Sequence, residues 1–416
     1  MRRLITLGML LLMLALAGCG ENSGSAGSGK KEETLRPEEE GSGMRALKRP
    51  DQASDLHIFV DTRGYSCEDE KIAWFEGEDL GGSFRVIQTE DRTGGFSAPL
   101  EKTGFVSESG LPLWKGDFSA LTEEGTYYLQ AAAVGRSEIF TVSKYHYELQ
   151  KDELTETWEK ELREKSKPSL TDQERLALYE SLYFAGVACE LYPRQSPTTG
   201  EVIRQVLSEQ IPEKPDRDTM TKEAASFLIA ALTQGTCTGG EDKERELFEK
   251  SAKTLYGIFF TGGAKGENMA DVRAAGAMYK LTGQRGYATL PEEYLSDLKD
   301  VDRESFPVFF SYLTTKKTVD TELGSDLMML LIRTCTEISE HAGNIPENRT
   351  EEGLQEAYYE ADLLTLADSV LVSREYRLAR SRLCHAQALN PAAAKEPELM
   401  TLAQQLLVIF GENSLE

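Results

Sequence analysis

The sequence is poor in the residues that build metal centres and disulfide scaffolds. Among 416 residues there are four His and six Cys. His57, His146, His341 and His385 are far apart and show no metal-ligand spacing. Six scattered cysteines are too few for a disulfide framework. Positive charge is also in deficit. Lys plus Arg number 46 against 70 Asp plus Glu, a formal net charge of −24. Phosphate-backbone binding draws much of its affinity from cationic side chains, so no nucleic-acid partner is expected. Docking on anionic lipid by charge alone is disfavoured for the same reason. No glycine-rich phosphate loop, dinucleotide fingerprint or Gly-x-Ser-x-Gly elbow occurs, and no cofactor or metal is expected. Cys384 and His385 are adjacent in sequence and so diverge on a helix, which argues against a thiol–imidazole pair. Long apolar runs are missing after the first few residues, so no mature membrane span is expected.

What is present begins with an address. Arg2 and Arg3 precede an apolar run from Leu4 to Leu16, which ends in Leu16-Ala17-Gly18-Cys19. This order resembles a bacterial lipobox, with residues 1–18 as signal peptide and Cys19 as the lipidated mature N-terminus. The lipid would be the membrane anchor, facing outside the cytoplasm. Residues 19–55 are rich in Gly, Ser and Glu with few aliphatics, and read as a disordered tether. The tether's r.m.s. reach is about 30–35 Å.

From residue 56 to 144 the pattern is of short alternating runs. Candidate strands are His57–Val60, Lys71–Phe75, Ser83–Gln88, Gly104–Ser107, Thr126–Ala132 and Glu138–Val142, spaced as in a β-sandwich. Leu121 to Tyr127 has the form of a tyrosine corner, which assigns Tyr127 a structural role. From 145 to 416 the period shifts to that of helices. Thr171-Asp172-Gln173-Glu174 is a capping box opening one of them. Further helices are expected at Lys222–Thr233, Glu241–Phe260, Met269–Thr282, Thr321–His341, Gly353–Val372, Glu375–Leu389 and Pro397–Phe410. Two stretches, 274–287 and 363–376, echo each other as apolar helix, polar break and Tyr, which suggests repeated helical hairpins.

These stretches also carry a resemblance. Val60-Asp61-Thr62-Arg63-Gly64-Tyr65, Asp117-Phe118-Ser119 through Gly125-Thr126-Tyr127, and Ser137 to Val142 resemble, in order, the immunoglobulin-like module that precedes many family 9 glycoside hydrolases. Leu182 to Pro193, Ala274 to Tyr287 and Glu375 to Pro391 are similar to helices of that family's catalytic barrel. The resemblance implies a multidomain β plus α chain: an immunoglobulin-like β-sandwich followed by an all-α toroid of six helical hairpins, an (α/α)6-like domain. It implies an endoglucanase-type ancestry with β-glucan-like polysaccharide as partner.

The family's chemistry is where the match fails. Inverting hydrolysis needs a base carboxylate and an acid carboxyl flanking the scissile bond. The family's Asp-Ala-Gly-Asp base segment does not occur. At that distance stands Ser166 to Asp172, where the capping box already accounts for Asp172. After Asn390-Pro391 the family's substrate loops are absent. Glu396 and Glu398 fall near the acid position, although two acidic residues beside Pro397 also suit a helix N-terminus. Trp74 and Trp114 could stack on sugar rings or pack in the core. Three readings follow: a catalytically impaired glycan-binding protein, an active hydrolase using Asp172 with Glu396 or Glu398, and a non-enzymatic surface scaffold binding protein. Paired carboxylates in a cleft favour the second. An aromatic-lined groove without such a pair favours the first. Apolar closure of the toroid's centre takes the site from both carbohydrate readings and favours the third.

Overall fold

The computed structural model describes residues 57–90, 95–107, 109–167, 169–261, 268–344, 350–387, 390 and 397–413. Cys19, with the leader and tether, and Glu396 lie outside the described residues.

Among the described residues eight strands come first: β1 (Ile58–Phe59), β2 (Ile72–Glu76), β3 (Ser83–Gln88), β4 (Ser97–Val106), β5 (Pro112–Asp117), β6 (Gly125–Ala131), β7 (Gly135–Arg136) and β8 (Phe140–Val142). Their spatial order is β1-β2-β5-β4-β3-β6-β7, with β8 also on β6, and the ladders are antiparallel. β4 joins the two halves of the sandwich. Ser97–Pro99 pair with β3, Leu100–Lys102 pair with β5, and the register breaks between Lys102 and Val106. β5 was not expected from the sequence, because Pro, Lys, Gly and Asp are weak strand formers. It is held from both sides by β2 and β4. Pro112 occupies its first position, where a missing N–H is tolerated. Gly116 clears space for the core, since a Cβ there would meet the Phe75 and Phe84 rings at 2.7 Å. Tyr127 does close a tyrosine corner, its hydroxyl donating to the Glu123 carbonyl at 3.1 Å.

Twelve α-helices follow among the described residues: α1 (His146–Lys165), α2 (Asp172–Leu191), α3 (Pro197–Gln210), α4 (Lys222–Gly235), α5 (Asp242–Phe259), α6 (Met269–Thr282), α7 (Thr289–Ser296), α8 (Phe306–Thr314), α9 (Thr321–His341), α10 (Glu351–Leu371), α11 (Arg374–Ala386) and α12 (Leu399–Glu412). They alternate in burial. The even-numbered helices are buried almost all round, as α4 is from Ala224 to Gly235. The odd-numbered ones bury one stripe, as α5 does with Phe248, Ser251, Ala252, Leu255 and Phe259. An apolar helix needs protein on every side and an amphipathic one needs it on one side. The chain therefore forms six outer–inner hairpins. α12 packs on α2, α2 on α4, α4 on α6, α6 on α8, and α10 on α12. The Phe306–Tyr359 ring contact, at 5.8 Å, joins α8 to α10 and closes the inner ring.

Helices α3, α7 and α8 were not expected. Thr, Val, Ile and Gly in α3 have low helix propensity. The nine residues of α8, Phe-Pro-Val-Phe-Phe-Ser-Tyr-Leu-Thr, form an apolar run that periodicity cannot tell from a buried strand. Among the described residues no helix is long and apolar enough to cross a membrane.

Candidate functional site at the mouth of the inner ring

Because the hairpins alternate, the six inner helices run parallel and their N-termini face one end. The middle of the ring is closed. Phe184 of α2 stacks on Phe306 of α8 across the axis, with centroids 5.7 Å apart and planes at 12°. Tyr183 lies edge-on to Phe227, and Tyr359 edge-on to Phe306.

The N-terminal end above the plug is polar. Arg273, near the start of α6, is 3% exposed. Its Nη1 donates to Glu223 Oε1 at 2.5 Å and to Ser226 Oγ at 2.8 Å, and its guanidinium lies 3.7 Å from the Phe227 ring centroid. Arg303, just before α8, donates to Gln355 Oε1 at 2.8 Å and contacts Met400 Sδ, with Glu180 Oε2 at 3.8 Å. Gln355 Nε2 in turn donates to Glu398 Oε2 at 3.2 Å. Side chains thus link α2, α4, α6, α10 and the loop before α8 to the N-cap of α12. Helix N-termini favour carboxylates, which accounts for an acidic mouth in this fold. Glu180 is half-buried. Burial pushes its carboxyl above the usual carboxylate range, against the pull of Arg303 and Arg273. Two buried groups of this end, Arg273 Nε and the Tyr359 hydroxyl, have no partner among the described residues.

The structure places the sequence candidates as follows. Asp172 is the first residue of α2, exposed, 3.8 Å from Arg175, beside the capping box of Thr171 and Glu174. It stands eight residues from Glu180, about 12 Å along the helix. No hydrogen bond or ion pair among the described residues joins it to Glu398. Glu398 is exposed at the N-cap of α12 and does belong to the mouth. Glu396 lies outside the described residues. Trp74 is 3% exposed, packed with Leu113, Phe59 and Ile72, and offers no free ring face. Trp114 is half-buried; its Nε1 donates to the Gly77 carbonyl and Lys102 lies 5.6 Å from its ring centroid. Sequence reasoning missed Glu180, Glu223, Arg273 and Arg303. Only Glu180 carried a signal, an acidic residue on an otherwise apolar helix face.

A second polar cluster lies where the module meets the helices. His385 of α11 places Nδ1 2.8 Å from Asp61 Oδ2 and Nε2 3.2 Å from Asp69 Oδ2. An imidazole with a carboxylate on each nitrogen is a double donor and carries a proton on both. Burial lowers its pKa, but the hydrogen bonds to Asp61 and Asp69 outweigh burial and raise it to about 9. Burial likewise opposes the ionisation of Asp61. Arg63 and His385 prevail and hold its carboxyl well below the usual range. Arg63 makes two bonds to Asp61 and a third to the Cys384 carbonyl. Tyr147 donates to Asp69 at 2.7 Å. Gly64 is needed at this turn: its φ is +107° and a Cβ would meet the Thr141 carbonyl at 2.6 Å. The five described cysteines are free. Among the described residues no group of three or more His, Cys, Asp or Glu could hold a metal ion.

Residues 53–136 match the family model of the cellulase N-terminal ig-like domain. No curated protein matches the chain. Among solved structures, a metagenome-derived glycoside hydrolase family 9 endoglucanase superposes with a TM-score of 0.60 at 16% identity, over 81% of this chain and 84% of that one. A family 9 protein of Bacteroides ovatus gives 0.60 at 13%, over 80% and 85%. A thermostable endoglucanase of Alicyclobacillus acidocaldarius gives 0.61 at 14%, over 79% and 81%. At these identities the likeness is one of fold: an immunoglobulin-like module joined to a family 9-like helical toroid.

Proposed function

We propose that this protein is a surface lipoprotein, anchored through lipid on Cys19, that binds β-glucan-like polysaccharide at the mouth of the inner ring and has lost, or nearly lost, hydrolysis. One observation carries the reading. The mouth keeps a polar floor in a family 9-like fold, but its carboxylates are engaged: Glu223 by Arg273, Glu180 beside Arg303, and Glu398 by Gln355. Such groups hydrogen-bond sugar hydroxyls. A base carboxylate tied to a cation is a weak activator of water. By the expectation stated from the sequence, the aromatic plug counts against a carbohydrate site in the toroid's centre and toward the scaffold reading. The polar, solvent-reached mouth above it supports the carbohydrate reading instead.

The test is retention of the purified protein on insoluble β-glucans and xylans, read together with reducing-sugar release. Retention without release, reduced at least tenfold in an Arg303→Ala, Glu180→Gln variant, is the expected result. Absence of both retention and release would leave the scaffold role. One specific feature favours a second reading. The raised carboxyl of Glu180 has the property required of a general acid, so release that Glu180→Gln abolishes would restore the hydrolase. The anchor is tested separately, by incorporation of a labelled fatty acid that Cys19→Ala prevents.

A further inference from the structure

A cleft of about 530 Å³ opens beside the interdomain cluster, where the turn after β1 faces α1 and α12. None of Glu180, Glu223, Arg273, Arg303 or Glu398 lines it. Its volume is in the range of small-molecule sites, which favour domain boundaries. The two helical walls are built alike. On α1, Leu154 stands between Gln150 and Thr157 at helical spacing; on α12, Gln405 stands between Leu402 and Ile409. Each wall therefore alternates aliphatic surface with a group that both donates and accepts hydrogen bonds. Arg63 contributes at the third side. Its Nε and Nη2 are committed to Asp61 and the Cys384 carbonyl, which leaves Nη1 as a fixed donor. Charges of both signs meet there, Arg63 with Glu153 and Glu412, so the cleft selects neither a strong anion nor a strong cation.

A neutral ligand with apolar faces and hydroxyl edges satisfies all three walls. A pyranose ring has that chemistry: C–H faces for the leucines and Ile409, and neighbouring hydroxyls for amides and a guanidinium. We propose that this cleft is a second saccharide site, distinct from the mouth, that takes a disaccharide-sized unit. The proposal rests on the polysaccharide reading for the ligand's class and on the cleft alone for its place.

The experiment is saturation-transfer NMR on the full chain with cellobiose, xylobiose and di-N-acetylchitobiose. It compares the parent with Gln150→Ala/Gln405→Ala, with Thr157→Trp, and with the mouth variant Arg303→Ala/Glu180→Gln. Thr157 is exposed, so its Trp obstructs the cleft without entering the core. Measured in the mouth-variant background, so that the mouth contributes nothing, disaccharide binding should weaken at least tenfold when either cleft substitution is added. Binding unchanged in both cleft variants, or absent for every disaccharide in the parent, overturns the proposal. Polymer retention separates the two claims. Retention lost only in the mouth variant, with disaccharide binding indifferent to the cleft variants, keeps the mouth and sinks the cleft. Retention and disaccharide binding lost only in the cleft variants do the reverse.

Discussion

The joint between module and helices and the mouth of the inner ring are both polar, and they obey different physics. The joint of Asp61, His385, Asp69, Arg63 and Tyr147 is largely out of water, and its carboxylates meet charged or hydroxyl donors at 2.6 to 3.2 Å. The mouth is reached by solvent, and its Glu180–Arg303 separation is 3.8 Å. A closed set of buried charges fixes a geometry, and removing one member leaves another charge stranded. An open set has spare hydrogen-bonding capacity for a ligand. The joint, apart from the outward edge of Arg63 that faces the cleft, thus has the character of structure, the mouth that of recognition.

The largest way to break this contrast is at the joint. His385→Ala strands two buried carboxylates and should cost about 3–5 kcal/mol, measured by urea unfolding. At the mouth, Glu180→Gln or Arg303→Ala should cost under about 1 kcal/mol, because partly exposed pairs contribute little. If the mouth variants destabilise as much as His385→Ala does, the division of roles is wrong.

The pH dependence of stability sharpens the same contrast. His385 is raised from an ordinary 6.5 to about 9 in the folded protein. Its contribution is complete below pH 6.5 and is lost as pH rises through 9, about 3 kcal/mol if the full difference is realised. His146 works in the opposite direction. It is buried beside the joint, and burial lowers it to about 4. Its contribution is complete above pH 6.5 and is lost as pH falls through 4. Stability should therefore peak near neutrality, and in His385→Gln the decline between pH 7 and 10 should flatten. A decline of the same size in that variant would remove His385 as its cause.

The mouth gives a smaller effect on stability and a larger one on binding. Arg303→Ala should reduce polysaccharide retention at least tenfold, whereas Asp172→Ala should leave it within twofold. Asp172 lies two turns up α2, where it stands 3.8 Å from Arg175. Equal losses from both would extend the site along α2.

What was legible in the sequence follows the same division. The stretches that carried the family resemblance turn out to hold the fold together. Asp61, Arg63, Gly64 and Tyr65 build the joint, and the Asp61 N–H donates to the Tyr65 hydroxyl at 2.9 Å. In Glu375 to Pro391, Arg380 is fully buried and bonds Glu412 and Thr365, and His385 reaches the module. In Leu182 to Pro193, Gly186 allows α2 to approach Gln234 of α4, and Glu190 pairs with Lys280 at 2.5 Å. The mouth was illegible because its parts come from five helices and a loop, and no local spacing links Glu223 to Arg273 or Arg303 to Gln355. His385 looked idle for the same reason, since its partners lie more than 300 positions away. Strand β5 and helix α8 escaped because their propensities disagree with the state that tertiary packing imposes.

The smallest effect lies at the entrance to the joint's own helix. The echoing stretches 274–287 and 363–376 superpose Gly283 on Val372, both at the C-cap of an inner helix and both left-handed, at φ +73° and +54°. Glycine accepts that conformation without steric cost, whereas a β-branched residue is strained there. Strain of this kind costs on the order of 1–3 kcal/mol. Val372 is 71% exposed, so its side chain recovers little by packing. Glycine loses about 0.5–1 kcal/mol through the greater freedom of the unfolded chain. Val372→Gly should therefore stabilise the protein by about 1 kcal/mol in urea unfolding, with polysaccharide retention unchanged. Gly283→Val should destabilise by at least as much, because a Cβ at Gly283 also meets Lys317 at 3.0 Å. If Val372→Gly gives no gain, the two hairpin turns are not equivalent, and the left-handed turn into α11 is held by the packing of the joint rather than tolerated by it.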